Sequence, residues 1–169
     1  QNIAAYGMPD AGFARLDFSR MYLDEQNQHA KEAQRRKEQN KQLVDSGVVS
    51  VFDLDVPDKA VQEFNRAGSL MKAQKSQEAI PHLQKALAAA PKFVSAHLGL
   101  GLAYLDQDDP ARARSEFETA AKLDDKFAGA FLNLGLLALS QKDFASAEAE
   151  LGKAASLRPT DVKILSALA

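Results

Sequence analysis

Residues 94–127 read VSAHLGLGLAYLDQDDPARARSEFETAAKLDDKF, and the placement of small residues in this stretch decides the fold. Apolar residues recur at helical spacing from Val94 to Asp106 and again from Pro110 to Leu123. Between these runs Asp109 is placed to cap the second helix. Pro110 follows at its first position, where a missing N–H costs nothing. Gly101 and Ala113 are small where the two helices would cross, since a larger side chain would push the axes beyond about 8–10 Å. Tyr104, Phe117 and Leu123 fill the space around them. The stretch predicts one helix–turn–helix hairpin.

The pattern recurs 34 residues away on both sides. Ala79, Ala113 and Ala147 fall in step, as do Leu83, Phe117 and Leu151, and Ala86, Ala120 and Ala154. Ala67, Gly101 and Gly135 keep the same count, followed by Pro91, Asp125 and Pro159. Three hairpins are therefore predicted, over about residues 60–93, 94–127 and 128–161. Asp143 is expected to cap the second helix of the third. The first is more degenerate, with Pro81 inside its second helix, where the ring removes a hydrogen bond and predicts a mild bend. Pro57 is expected at the first helical position of the array.

These residues resemble the tetratricopeptide repeat family over residues 57–159. That family's motif runs aromatic, Leu-Gly, Tyr, Ala, aromatic, Ala and Pro. Here it appears as His97, Leu100-Gly101, Tyr104, Ala113, Phe117, Ala120 and Asp125. It returns as Phe131, Leu134-Gly135, Ala138, Ala147, Leu151, Ala154 and Pro159. The departures are His97 for an aromatic, Ala138 for tyrosine and Asp125 for proline. The resemblance implies an all-α fold, a right-handed superhelix of three helix-turn-helix repeats that holds other polypeptides. Thr160-Asp161-Val162 starts a further helix, and residues 162–169 are expected to be a partial C-terminal cap. Ile164, Leu165 and Leu168 form its candidate stacking face at the end of the third repeat.

The first helix of each repeat lines the concave side of such an array. By spacing, the inward residues are Phe64, Gly68 and Met71, then Leu98, Leu102 and Leu105, then Leu132, Leu136 and Leu139. All but Gly68 are large and apolar, so they form a candidate protein-binding groove. The alternative is that these leucines only pack the helices against one another. Relatives that grip acidic chaperone C-termini use Lys, Arg and Asn on this face. Phe64, Gly68, Gly99 and Gly129 stand here instead, with Asn133 the one match, so that clamp is not expected.

Residues 1–56 lie outside the repeat and form an N-terminal arm. A helix is predicted from about Phe18 to Val44, polar almost all round after Met21 and Leu23. Ser46-Gly47 ends it. Val48 to Val56 alternates in part and predicts a short extended segment. Such a segment must pair with a copy of itself, pair with another protein, or lie flat on helices.

Composition narrows the function classes. Net charge is −2 and no cysteine is present, which argues against general polyanion binding and excludes disulfides and thiolate chemistry. No apolar run reaches the roughly 18 residues that span a bilayer. The first residue, Gln1, is of the kind that follows a leader cleavage site in exported bacterial proteins. A loose likeness of the Val-Pro-Asp-Lys-Ala lead-in at residues 56–60 to such proteins agrees, and an extracytoplasmic location is the expectation. His29, His82 and His97 fall in unrelated places with no carboxylate or cysteine at ligand spacing, and His97 is read as packing. Asp108-Asp109 and Asp124-Asp125 are read as caps and solvated acids, not a metal site. The basic cluster Lys31, Arg35, Arg36, Lys37 and Lys41 is diluted by Glu32 and Glu38 and reads as a wet helix face. No phosphate loop, nucleophile motif or acid–base pair is present, so no cofactor and no enzyme activity are expected. The leading expectation is a protein-binding scaffold with a peptide or protein partner. The alternative is a structural subunit that self-associates into a filament, its arm docking on a neighbouring copy.

Overall fold

A computed structural model describes residues 28, 31, 34, 35, 38 and 50–168. The chain divides into two compact units, Gln1–Gln42 and Leu43–Ala169. Residues 28, 31, 34, 35 and 38 are helical, within the stretch expected to be a polar helix. The rest of the arm up to residue 49 lies outside the described residues.

The second unit holds α1 (Asp58–Lys72), α2 (Ser76–Ala89), α3 (Val94–Leu105), α4 (Pro110–Leu123), α5 (Ala128–Ser140), α6 (Phe144–Leu157) and α7 (Val162–Leu168). They pair as α1/α2, α3/α4 and α5/α6, and each hairpin packs on the next. The architecture is the expected all-α superhelix, with no strand among the described residues.

The caps lie where local sequence placed them. Asp109 accepts a hydrogen bond from the Arg112 amide at 2.9 Å, and Asp143 accepts one from the Ser146 amide at 3.1 Å. The bond from the Arg112 amide holds the Asp109 carboxyl below its usual value of 3.8. The Ser146 side chain does the same first for Asp143. Pro57 stands at the N-cap of α1, one residue before the expected position. Pro81 sits on an exposed face of α2, which runs unbroken from Ser76 to Ala89. Each hairpin turn contains one non-glycine residue in the left-handed region at the same repeat position. These are Gln74, Asp108 and Lys142, with φ of 60°, 56° and 61°.

The helix crossings explain the glycines. A Cβ built on Gly101 would sit inside the contact distance of three ring carbons of Phe117, which is fully buried. A Cβ on Gly135 would lie 2.6 Å from Cγ of Leu151 and 3.2 Å from its backbone nitrogen. Only hydrogen fits at either crossing.

The histidines correct the sequence reading. His82 Nδ1 lies 2.6 Å from Glu63 Oε2, tying α2 to α1. His97 Nδ1 lies 2.7 Å from Glu116 Oε2, tying α3 to α4. Position 63 plus 34 is 97, and 82 plus 34 is 116, so both pairs join the same two repeat positions with the residues exchanged. The carboxylate was missed because the pair is read across two helices, 19 residues apart, and not along one. His29 lies outside the described residues.

Candidate functional site

The concave face is built from the first helix of each hairpin. Phe64 and Met71 of α1, together with Leu98, Leu102 and Leu105 of α3, are half-buried and rest on the main core. Leu132 and Leu139 of α5 are half-buried as well, and Leu136 is 44% exposed. Neither extreme reading holds. The row is not bare, because Phe64, Met71, Leu98, Leu102, Leu105 and Leu132 pack against buried clusters, and it is not consumed, because each of its large residues keeps an accessible side.

Packing divides the row. Phe64 fills the seam to the next hairpin, its ring 4.8 Å from that of Phe93 and within van der Waals reach of a Cβ placed on Gly99. Leu98 lies in the same way over Gly129. Gly99 therefore makes room for Leu83 and Phe64 of the preceding hairpin, and Gly129 for the Phe127 ring at its own helix start as well as for Leu98. Leu102, Leu105, Leu136 and Leu139 lie beyond these seam fillers, further along α3 and α5.

Gly68 shares a repeat position with Leu102 and Leu136, and a Cβ there would meet nothing within 4 Å. The face thus has a notch in the first hairpin where the other two carry leucine. No charged side chain occupies any of the nine inward positions. The amide of Asn133 donates to the Gly129 carbonyl of its own helix at 2.7 Å, which spends the one residue that matched the carboxylate-gripping pattern.

A second polar feature lies where residues 50–56 meet the hairpins. Val51–Asp53 form a single 3-10 turn in place of the predicted extended segment. Alternation is reversed there, with Phe52 and Leu54 facing solvent and Asp53 facing the protein. The reason is the start of α3, where Phe93 at the N-cap offers no side-chain acceptor. Asp53 supplies it: its carboxylate accepts from the Val94 amide at 2.8 Å, the Ser95 amide at 3.2 Å and the Ser95 hydroxyl. Burial acts most strongly on this carboxyl and raises it above its usual 3.8, against the lowering by the Ser95 and Val94 bonds. Ser50 is buried and donates to Asp124 at 2.6 Å. For residues 50–56 the third sequence alternative therefore applies, since they lie on helices of their own chain. Sequence reasoning missed Ser50 and Asp53 as anchors; the only signal was a helix start preceded by phenylalanine.

At the far end, Ile164 is buried with Ala128, Phe131 and Ala154, so it packs back on the third hairpin and is not free for stacking. Leu165 and Leu168 remain exposed. Among the described residues, no group of three or more potential metal ligands comes together, and no helix is long and apolar enough to cross a membrane.

A tetratricopeptide repeat family profile matches residues 64–125 and 100–162. No individual curated protein matches the chain in sequence. Solved structures are similar in fold at low identity. The first repeat domain of Spaghetti (RPAP3), bound to the HSP90 peptide SRMEEVD, is 21% identical with a TM-score of 0.63, covering 66% of this chain and 88% of that one. The second domain of human RPAP3, in complex with the HSP70 peptide SGPTIEEVD, is 21% identical with a TM-score of 0.61, covering 65% and 92%. The Sgt2 repeat domain from Aspergillus fumigatus is 19% identical with a TM-score of 0.63, covering 66% and 76%.

Proposed function

The chain belongs to the tetratricopeptide repeat family, and from that premise we propose that its concave face binds an apolar polypeptide segment without catalysing a reaction. The observation that carries this reading is the uncharged row Leu102, Leu105, Leu136 and Leu139, half-buried or exposed, beside the open notch at Gly68. A large apolar side chain moved fully out of water contributes about 1.5–3 kcal/mol. Two or three inserted ligand residues therefore contribute about 3–9 kcal/mol before the entropy of ordering the segment is subtracted.

The similar domains solved with SRMEEVD and SGPTIEEVD hold acidic peptides. This face offers no cation at its inward positions and spends Asn133 internally, so an acidic C-terminus has nothing to pair with. The ligand favoured here is uncharged and apolar, with one bulky side chain seated at Gly68.

The test is selection of binders from a random peptide display library, followed by titration of the amidated winners and of SRMEEVD. Apolar winners should bind and SRMEEVD should not. Leu136→Lys and Gly68→Leu should each weaken binding at least about tenfold, or 1.4 kcal/mol. Winners that need a free C-terminal carboxylate, or that tolerate both substitutions, would remove the proposal.

A further inference from the structure

The edge where the hairpins turn differs between the two seams of the array. Between the second and third hairpins, the Arg114 guanidinium of α4 donates at 2.7 Å to Oε1 of Gln141, the residue that follows α5. By the 34-residue count the same two positions at the seam between the first and second hairpins are Ile80 and Gln107. Ile80 has no side-chain donor. Gln107 instead lines an open cleft of about 840 Å³ together with Met71, Gln74, Gln77 and Asp106. Met71 belongs to the concave row, three residues from Gly68, so the cleft continues that face toward the hairpin turns.

Charge in the cleft is unbalanced. Lys75 lies 3.2 Å from Glu78, which pairs two opposite charges of the lining. Asp106 receives the neutral hydroxyl of Ser76 on Oδ2, and its charge has no ion-pair partner among the described residues. An uncharged amide oxygen would serve that hydroxyl as well. Asp106 also stands at the C-cap of α3, where the negative end of the helix dipole disfavours a carboxylate. The corresponding residues of the other two hairpins are Lys72 and Ser140. A carboxylate held against that local preference stabilises a cation brought into the cleft. Glutamine oxygens accept hydrogen bonds as well, and a guanidinium offers five N–H donors in a planar fork where a lysine ammonium is a point charge.

We infer that this cleft receives an arginine side chain of the bound polypeptide, its guanidinium on Asp106 and Gln107 and its methylene stem along Met71. The arginine flanks the uncharged segment held by the concave row, so the inference rests on the reading of that row. The partner thereby supplies at the first seam the donor that Arg114 supplies within the chain at the second.

The test uses the full chain, isotope-labelled for amide NMR. The probes are the acetylated, amidated peptides Leu-Leu-Gly-Arg and Arg-Gly-Leu-Leu, each with a twin in which uncharged citrulline replaces arginine. At concentrations up to about 10 mM, shifts should appear at residues 71–78 and 106–107 and at Leu102 and Leu136. At least one arginine peptide should bind about fivefold more tightly than its twin, the upper end for a solvent-accessible ion pair. Asp106→Asn should erase that difference and leave the melting temperature unchanged or slightly raised, since it keeps an acceptor for Ser76 and removes a charge from the negative end of α3. Equal binding of both twins in both orders, or a preference for arginine that survives Asp106→Asn, would overturn the inference. Shifts at Leu102 and Leu136 in that case would leave the reading of the concave row standing. Shifts confined to the cleft and lost in Asp106→Asn would instead keep the arginine site and remove the reading of the row. No shift at either place would overturn both.

Discussion

The first and second hairpins tie one pair of repeat positions with the same two side chains in opposite order, and the third uses neither arrangement. Glu63 on α1 meets His82 on α2, His97 on α3 meets Glu116 on α4, and Phe131, at the same repeat position on α5, instead has Lys153 of α6 3.9 Å over its ring. The geometry of the hairpin asks for a contact at this crossing and is indifferent to which helix donates. The order still matters for pH. Both ring nitrogens of His97 face acceptors, Glu116 and the Pro91 carbonyl at 3.1 Å, so the doubly protonated ring is the form that fits. Burial opposes that charge, but the Glu116 bond, the Pro91 bond and the Glu116 charge outweigh it and raise His97 above its usual 6.5. In the first hairpin the bond from His82 acts first, and it lowers the Glu63 carboxyl below its usual 4.5.

The largest way to break the comparison is to empty a crossing. Phe117→Ala in the second hairpin should cost about 3–5 kcal/mol and Leu151→Ala in the third about 2–5 kcal/mol, measured by urea denaturation. A loss under 1 kcal/mol at Phe117 would mean that the buried ring is not what fixes the middle hairpin. Next come the glycines. Gly101→Ala should destabilise by about 1–3 kcal/mol because the methyl group meets the Phe117 ring. Gly68→Ala, in open space on a helix, should stabilise by about 0.5–1 kcal/mol. Two substitutions of the same kind thus carry opposite signs, and equal signs would refute the assigned crossing.

Asp53→Ala should cost about 0.5–2 kcal/mol and speed hydrogen exchange at the Val94 and Ser95 amides, leaving the caps at Asp109 and Asp143 unaffected. The smallest effects are the pH slopes. The raised His97 contributes stability in full below pH 6.5 and loses it as pH rises through the folded value, so His97→Phe should flatten that alkaline-side decline. The lowered Glu63 contributes above pH 4.5 and loses its part as pH falls through the folded value, so Glu63→Gln should flatten the acid side. Denaturation midpoints measured across pH check both. Slopes at the same end for both variants would contradict the exchanged order.

The hairpins were legible because their determinants are local or periodic. Asp109-Pro110 and Asp143 cap from three residues away, and Gly101 against Phe117 repeats as Gly135 against Leu151. The concave row was legible as positions only. Which of its members fill seams, as Phe64 and Leu98 do, depends on how far one hairpin leans over the next, and no spacing states that. Residues 50–56 misled for a related reason. Their alternation suggested a strand with apolar residues inward, but an uncapped helix start needs a carboxylate more than the surface beside it needs Phe52.

Taken alone, the order of residues determined that 34-residue units would fold into helical pairs, where each pair turns and where its two helices touch, because every such contact lies inside one unit and recurs in the next. Only the tertiary structure decided that Asp53 would cap α3 and that Ser50 would reach Asp124. It also decided that histidine and glutamate would meet across each of the first two hairpins. Those contacts join segments with no shared period or lie across helix faces, and their distances are set by how the stacked hairpins bring remote backbone together.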